Sequence, residues 1–502
     1  MVVQVLGSRV IGPYFGVSLF VWTALISVTL LSLAGGYALG GRLADRHPTP
    51  DWLYAIIMLA GVFVALIPVF KGPVILATAH LGLRSGALTS TLLLLGPPLL
   101  LLGCVSPFVV RIAASNWERL GATVGLFYAV STAGSFVGTA AAGFFVIAYI
   151  GVSNALYLCG ALLFALGVVY FGVFRGRVLA VAGLLPFALA FLDGNENPTA
   201  RLPDGTLATL VDSGDSHYGN VKVVDYSGNV ARTREMMIDG LIQGGVDRDT
   251  GQSIYEYAYL MDHLSLAVKP GARNALFIGL GPGAVVRRFQ QRGVISDVVD
   301  IDPLVVRMAE KHFGFRPDRP VIVEDGRTVL RRGTERYDVI LMDVFNGDIT
   351  PGHLLSREAM GLVRDRLNPD GVYAMNLIAS FADDSKVLAS IVRTLRTQFS
   401  DVAVFPLFDP SANGQAGGNM VVLAANVSLD PALAVKSVPG VHPFAREGVD
   451  TALRNARRVA ERSDAVVLTD DFNPLDVFDP ALHESVRKTI LDTTPAAILL
   501  HG

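Results

Sequence analysis

The stretch Ala275-Leu276-Phe277-Ile278-Gly279-Leu280-Gly281-Pro282-Gly283-Ala284 decides the fold of the charged part of this chain. A short apolar run enters a glycine turn that opens a helix, and Gly279, Gly281 and Gly283 let a bound ligand approach the backbone. Asp300 stands 21 positions beyond Gly279, at the end of the next apolar run. An acidic side chain there can accept hydrogen bonds from ribose hydroxyls. Asp325-Gly326 closes a third run, where a carboxylate is placed to take the amino group of an adenine. Singly, each acid reads equally well as a helix cap or turn residue; together, at the ends of successive strands, they indicate a nucleoside site.

Outward from this turn, strands are predicted at 298–301, 321–323, 339–342 and 372–376, with helices near 303–312 and 357–366. The alternation predicts an α/β domain over 246–430, a parallel sheet with helices on both faces. Before it, over 207–245, Val221-Lys222-Val223-Val224 alternates, Tyr226-Ser227-Gly228-Asn229 supplies a turn, and Met236-Met237-Ile238 returns into Asp239-Gly240. This reads as a β-hairpin layer. Residues 193–206 are polar and turn-rich, a linker, and 431–502 are a C-terminal extension.

The first 192 of the 502 residues are of another kind: they hold 12 of the 85 Asp, Glu, Lys and Arg residues. Runs at about 14–40, 52–70, 86–110, 121–150 and 153–174 reach the ~20 apolar residues that a membrane-crossing helix needs. A sixth, 178–192, spans only ~22 Å as a helix and reads as interfacial or a short span. An integral membrane domain of five to six helices is expected, carried by its own spans, since Met1 to Tyr14 lacks the order of a cleavable signal. Arg42, Arg46, Arg111, Arg119, Arg175 and Arg177 oppose Arg9, Lys71 and Arg84, which places the first set in the cytoplasm. With 178–192 interfacial, the favoured reading, the charged domain is also cytoplasmic; as a full span it would put that domain outside the cell. Between Leu120 and Phe174 no residue is charged, so an anchor or scaffold is favoured over an ion-coupled carrier, although Gly40-Gly41-Arg42-Leu43-Ala44-Asp45-Arg46 resembles a loop motif of major facilitator transporters. Gly121/Gly125 and Gly134/Gly138 read as helix-packing faces.

After residue 192 the charges are 32 basic against 41 acidic, a balance that disfavours nucleic acid as a partner. Both cysteines, Cys104 and Cys159, lie in the apolar half, which leaves no cysteine for a disulfide or zinc site in the other. The nine histidines show no paired metal spacing, and no metal is expected. No Gly-x-Ser-x-Gly elbow is present.

The fourth strand ends in Asp338-Val339-Ile340-Leu341-Met342-Asp343. With Asp239-Gly240-Leu241-Ile242-Gln243, the glycine turn, Val299-Asp300-Ile301-Asp302 and Glu324-Asp325-Gly326, it resembles the spermidine synthases in order and spacing, over roughly residues 215–423. With the apolar half in front, the whole resembles membrane-fused spermidine synthase-like proteins of bacteria. The resemblance implies a Rossmann-like, methyltransferase-like domain that binds decarboxylated S-adenosylmethionine and a small amine. It puts Gln243 on the cofactor, Asp300 on its ribose, Asp325 on its adenine, and Asp343 as the base. An ammonium is not nucleophilic, so a carboxylate must take its proton while the sulfonium leaves.

The departures fall on the amine side. Pro282 stands where those enzymes carry an Asp that meets the aminopropyl ammonium. Ser216-His217-Tyr218-Gly219 replaces Ser-x-Tyr-Gln; Tyr257-Ala258-Tyr259 keeps only the tyrosine of Tyr-His-Glu; Asn346 replaces a second acid, with Asp348 two residues on. Tyr257, Asn346, Asp348 and the later Asp470-Asp471 are the candidate amine contacts, the last pair reading equally well as a cap or solvated turn. Three readings follow: an aminopropyltransferase of altered amine specificity, an S-adenosylmethionine-dependent methyltransferase, and a nucleoside-sensing module on a membrane anchor. Assembly into homo-oligomers, common in spermidine synthases, is compatible with the small-residue helix faces.

Overall fold

The computed structural model describes residues 1–16, 19–113, 120–176, 198–228, 231–345, 350–381, 385–411, 417–478 and 480–501. The chain divides into two compact units. The first comprises Met1–Pro198 with Ser213–Asn220 and Ala496–Gly502, and the second Thr199–Asp212 with Val221–Pro495.

The first unit is helical. Val2–Phe15 ends at Gly16, whose φ of 86° breaks the run, and Leu19–Arg46 follows. The expected first span therefore begins later and runs further, because the glycine rather than the apolar count sets its start. Among the described residues, four helical stretches are long and apolar enough to cross a membrane: Phe20–Arg46, Pro50–Ala113, Gly121–Ile150 and Val152–Arg175. Pro50–Ala113 turns back at Ala79–Leu81, and its two halves, Pro50–Thr78 and Gly82–Ala113, pack on each other. The run 178–192 lies outside the described residues.

Leu19–Arg46 and Gly82–Ala113 meet at glycine. A Cβ on Gly36 would lie 2.3 Å from the Leu100 carbonyl oxygen, and one on Gly40 2.5 Å from the Cα of Cys104. Gly121, Gly125 and Gly134 have open space instead, and Gly138 meets only a Val2 methyl. At Gly121, Gly125 and Gly134 the expected packing faces are thus not helix–helix contacts among the described residues, whereas Gly138 faces the helix Val2–Phe15; an i, i+4 pair that does serve is Gly36/Gly40.

Two sheets form further along the chain. The first orders β1 (Thr199–Arg201), β2 (Leu207–Asp215), β3 (Asn220–Ser227), β4 (Arg232–Ile238) and β5 (Leu241–Asp247) consecutively. The expected hairpin is therefore one part of a five-stranded layer. Asp239 and Gly240, with φ of 48° and 82°, make the two-residue turn between β4 and β5. β3 is buried on both sides from Asn220 to Asp225, Lys222 included, so the alternation read in its sequence does not separate a wet face from a dry one.

The second sheet contains β6 (Asn274–Ile278), β7 (Ile295–Asp300), β8 (Ile322–Val323), β9 (Tyr337–Met342), β10 (Leu367–Ser380), β11 (Asp401–Pro406) and β12 (Gly417–Ala425). Its order is β11-β12-β10-β9-β6-β7-β8. The five strands from β8 to β10 are parallel, as the alternation predicts, while β12 runs antiparallel between β10 and β11. The sheet is mixed because β12 follows β11 too closely in the chain for the crossover that a parallel pair needs. Alternate residues feed two cores: Phe277, Val298, Val339 and Leu341 one, Ile278, Val299, Ile340 and Met342 the other. Residues past 430 complete both, Val441 and Val449 on the first face, Leu468 and Leu475 on the second.

Strand order reverses between β6 and β9, since the chain moves outward through β7 and β8 and returns on the other side of β6. Ligands of open α/β sheets bind at such a switch point, beyond the carboxyl ends of the strands.

Candidate active site

The ends of β6 and β9 are bound together. Ile278 pairs with Met342, and the Asp343 N–H donates to the Ile278 carbonyl at 2.9 Å. Gly279 follows at φ 93°, and a Cβ there would lie 2.0 Å from the Asp343 carbonyl oxygen. Only glycine fits, so the first residue of the turn is fixed by the strand end that carries Asp343.

The Asp343 carboxylate accepts a hydrogen bond from Asn376 Nδ2 at 3.0 Å, across from β10. Burial raises its pKa to about 6, against the opposing effect of that bond. Asn376 is buried, and its Oδ1 has no partner among the described residues. Both residues line a cavity of about 320 Å³ with Gln243, Gly244, Tyr255 and Tyr257, at the lower end of the range for small-molecule sites.

Tyr257 opens the helix Tyr257–Val268 and donates its hydroxyl to the Gln243 carbonyl at 3.0 Å. A Cβ on Gly281 would lie 3.2 Å from that same oxygen, so β5 and the glycine turn touch at Gln243. Tyr255 donates to Glu235 Oε1 at 2.6 Å. Burial lifts the Glu235 carboxyl to about 7 and the Tyr255 hydroxyl well above its ordinary value.

Asp300 and Asp325 stand at neighbouring strand ends, outside this cavity's lining. Asp300 Oδ2 accepts from the Leu280 N–H and Oδ1 from the Asp302 N–H, both at 2.9 Å. Burial nevertheless raises its pKa to about 6. Each oxygen retains a lone pair for a further donor. Asp325 caps the helix Gly326–Arg332 through the Thr328 N–H at 2.9 Å, and His353 Nε2 lies 3.1 Å from its other oxygen. Burial alone would raise this carboxyl, but the bonds to Thr328 and His353 outweigh it and hold it low.

Asp470 lies away from the cavity. It pairs with Arg327 in a two-pronged contact, one bond at 2.7 Å, and the guanidinium holds its pKa at about 2. That carboxylate is paired with a cation of the chain and does not line the cavity. Asp471 is exposed. Asn346 and Asp348 lie outside the described residues. No group of three His, Cys, Asp or Glu side chains among the described residues is arranged to hold a metal ion.

Four contributors escape sequence reading: Asn376, Tyr255, Glu235 and the helix Pro480–Thr493, which lines the cavity through Ser485, Val486, Thr489 and Ile490. Asn376 carries a usable signal, a polar residue inside the apolar run of a central strand. The helix carries none.

Residues 255–428 match the family model described as spermine/spermidine synthase domain. The polyamine aminopropyltransferase of Vibrio vulnificus is 30% identical over 224 residues, covering 42% of this chain and 72% of that protein. The polyamine aminopropyltransferase 2 of Pseudomonas aeruginosa is 29% identical over 232 residues, 41% of this chain and 65% of that protein. Among solved structures, a probable spermidine synthase from Corynebacterium glutamicum aligns over 50% of this chain and 97% of its own, with 20% identity and a TM-score of 0.39.

Proposed function

This chain belongs to the spermine/spermidine synthase family and is a transferase, and we propose that it moves an aminopropyl group from decarboxylated S-adenosylmethionine to a small amine of altered specificity, with Asp343 as the base. The observation that carries this reading is Asp343 itself, a buried carboxylate at the switch point, tied to the glycine turn and lining a cavity with Gln243 and Tyr257.

The bound sulfonium nucleoside supplies an activated aminopropyl carbon and a neutral thioether leaving group. Asp300, its two oxygens already oriented by backbone N–H groups, holds the ribose hydroxyls. Asp325 takes the adenine amino group, and the backbone at Gly279, Gly281, Gly283 and Gly326, each packed closely on the protein behind it, lies beside the nucleoside. Gln243, pinned by the Tyr257 hydroxyl, marks where nucleoside and amine meet. Asp343 accepts the proton of the incoming ammonium as its nitrogen forms the new C–N bond and the C–S bond breaks toward sulfur. Asn376 donates to the carboxylate and turns its unpartnered oxygen to the amine's N–H. A carboxyl near 6 is ionised at neutral pH yet basic enough to take a proton.

The apolar helices support, as part of this proposal, a multi-pass protein of the bacterial cell membrane in contact with lipid, with the transferase domain in the cytoplasm where its sulfonium substrate is made.

Pro282 favours a second reading, because an enzyme without an acid there has less need of the aminopropyl ammonium and can accept intact S-adenosylmethionine as a methyl donor. Mass spectrometry of the full chain with either sulfonium compound and a panel of amines separates the two. 5′-Methylthioadenosine with an amine heavier by one aminopropyl unit is the expected result. S-adenosylhomocysteine would make it a methyltransferase, and no nucleoside product from either would leave a sensing module.

A further inference from the structure

Beyond Asn376 the sheet offers the cavity a second carboxamide. β10 and β12 pair antiparallel, with Asn376 opposite Val421 and Ile378 opposite Asn419. Val372 and Ala374 on β10 and Val421 and Leu423 on β12 belong to one core, so strand alternation puts Asn376, Ile378 and Asn419 on that same face of the sheet. All three line the cavity. Gly417, the next residue of β12 on this face, has no side chain, which makes Asn419 the last one that the strand turns toward the cavity.

The helix Pro480–Thr493 packs on β12 and β5 and covers this end through Ser485 and Thr489. The Thr489 hydroxyl donates to the Ser485 carbonyl at 3.1 Å, and its oxygen keeps a lone pair for a donor.

The sheet also sets the span. Asp343 is level with Asn376, which holds it. Asn419 lies two residues further along and two strands across, ~7 Å and ~9.5 Å, so the two backbones stand about 12 Å apart. With a side chain reaching in from either end, a chain of about four or five carbons bridges Asp343 and Asn419. One end of such a chain meets a carboxylate, and the other meets a carboxamide that can both donate and accept.

We propose that Asn419 reads the far end of the acceptor, and that the acceptor is an alkyl amine with a second hydrogen-bonding group, ammonium or hydroxyl, at that distance from the reacting nitrogen. The inference rests on the aminopropyl-transfer reading for its reaction, but the recognition can be measured by binding alone.

The test measures kcat/KM of the full-length protein in detergent for 1,4-diaminobutane, 4-amino-1-butanol and pentylamine, chains of equal length that end in an ammonium, a hydroxyl and a methyl group. Wild type is expected to favour at least one polar-ended amine over pentylamine tenfold or more, and the order of the diamine and the alcohol tells ammonium from hydroxyl. Asn419→Leu is expected to reduce that preference to within twofold, with pentylamine within threefold of its wild-type value. Asn419→Asp, which keeps the shape and exchanges amide for carboxylate, is expected to raise the diamine-to-alcohol ratio at least tenfold, and decides alone if Asn419→Leu does not fold. A wild type that favours pentylamine, or a preference unmoved within twofold by Asn419→Leu, would overturn the proposal while leaving aminopropyl transfer intact. If none of the three amines yields 5′-methylthioadenosine, the transfer reading fails, and calorimetric affinities decide the recognition separately: tighter binding of a polar-ended amine that Asn419→Leu abolishes supports it, and equal affinities in the two proteins overturn it.

Discussion

Asn376, in β10, and Asp343, the residue that follows β9, share a hydrogen bond of 3.0 Å from amide to carboxylate in a buried setting. The bond favours the ionised form of an acid that burial otherwise pushes up. Asn376→Leu should therefore raise the pKa of Asp343 further. The acidic limb of the kcat/KM profile, expected near pH 6 in wild type, should move to higher pH, with transfer partly restored in alkaline buffer. A limb that stays in place would show that another group sets it.

Asp343→Asn should lower transfer by at least ~10²-fold, the lower range for loss of a positioned base, while calorimetry shows 5′-methylthioadenosine still bound. The same substitution should stabilise the apo protein at pH 8. With its folded pKa raised to about 6, Asp343 holds its proton in the native state where the unfolded chain has lost it. Its contribution therefore declines as pH rises from about 4 to about 6, by on the order of 1–3 kcal/mol. Thermal melts of both proteins at pH 5 and pH 8 measure this; a gap that does not widen with pH would contradict the burial argument.

Asp300 serves the glycine turn and, in the proposed reading, the nucleoside at once. Asp300→Asn turns an amide N–H₂ toward one of two backbone donors, Leu280 or Asp302. The expectation is at least tenfold weaker binding of 5′-methylthioadenosine, measured by calorimetry, together with a lower Tm. Unchanged affinity would remove Asp300 from the ribose.

The Asp470–Arg327 pair is partly exposed, so its value is small, within ~1 kcal/mol. Its sign is definite. A carboxyl held at about 2 stabilises the fold above its ordinary pKa and loses that contribution as pH falls from about 4 toward 2. Asp470→Asn should lower Tm slightly at pH 7, and the difference should narrow below pH 4.

In the helical unit, Gly40→Val drives a side chain into the backbone at Cys104. Overpacking of this kind costs about 1–3 kcal/mol. Gly125→Val, placed in open space, should stay within about 0.5 kcal/mol. Retention of folded protein on detergent size exclusion after heating compares the two, and equal losses would contradict the packing described.

Elements with local punctuation were legible in the sequence. Asp302 and Ser356 cap helices that run Pro303–His312 and Arg357–Arg366, where their patterns place them. Strand direction was not legible: nothing within Gly417–Ala425 marks it as antiparallel, because direction is set by how the chain returns from β11 and not by the residue pattern of the strand. The glycine pairs show the same limit. Gly36/Gly40 and Gly121/Gly125 have one spacing, and only the presence or absence of a helix opposite tells them apart. At the candidate site, the strand ends and Asp343 were readable because chemistry and topology coincide there. Ser485 and Thr489 were not, since a helix wall two hundred residues from the glycine turn leaves no periodic trace of what it faces.

The bond from the Asp343 N–H to Ile278 makes proton acceptor and glycine turn parts of one rigid body, the β6–β9 strand pair. The opposite wall comes from a fourteen-residue helix near the far end of the chain. The two walls of the cavity are then independent in sequence: a substitution in the helix Pro480–Thr493 can reshape one while the strand pair that carries Asp343 stays as it is.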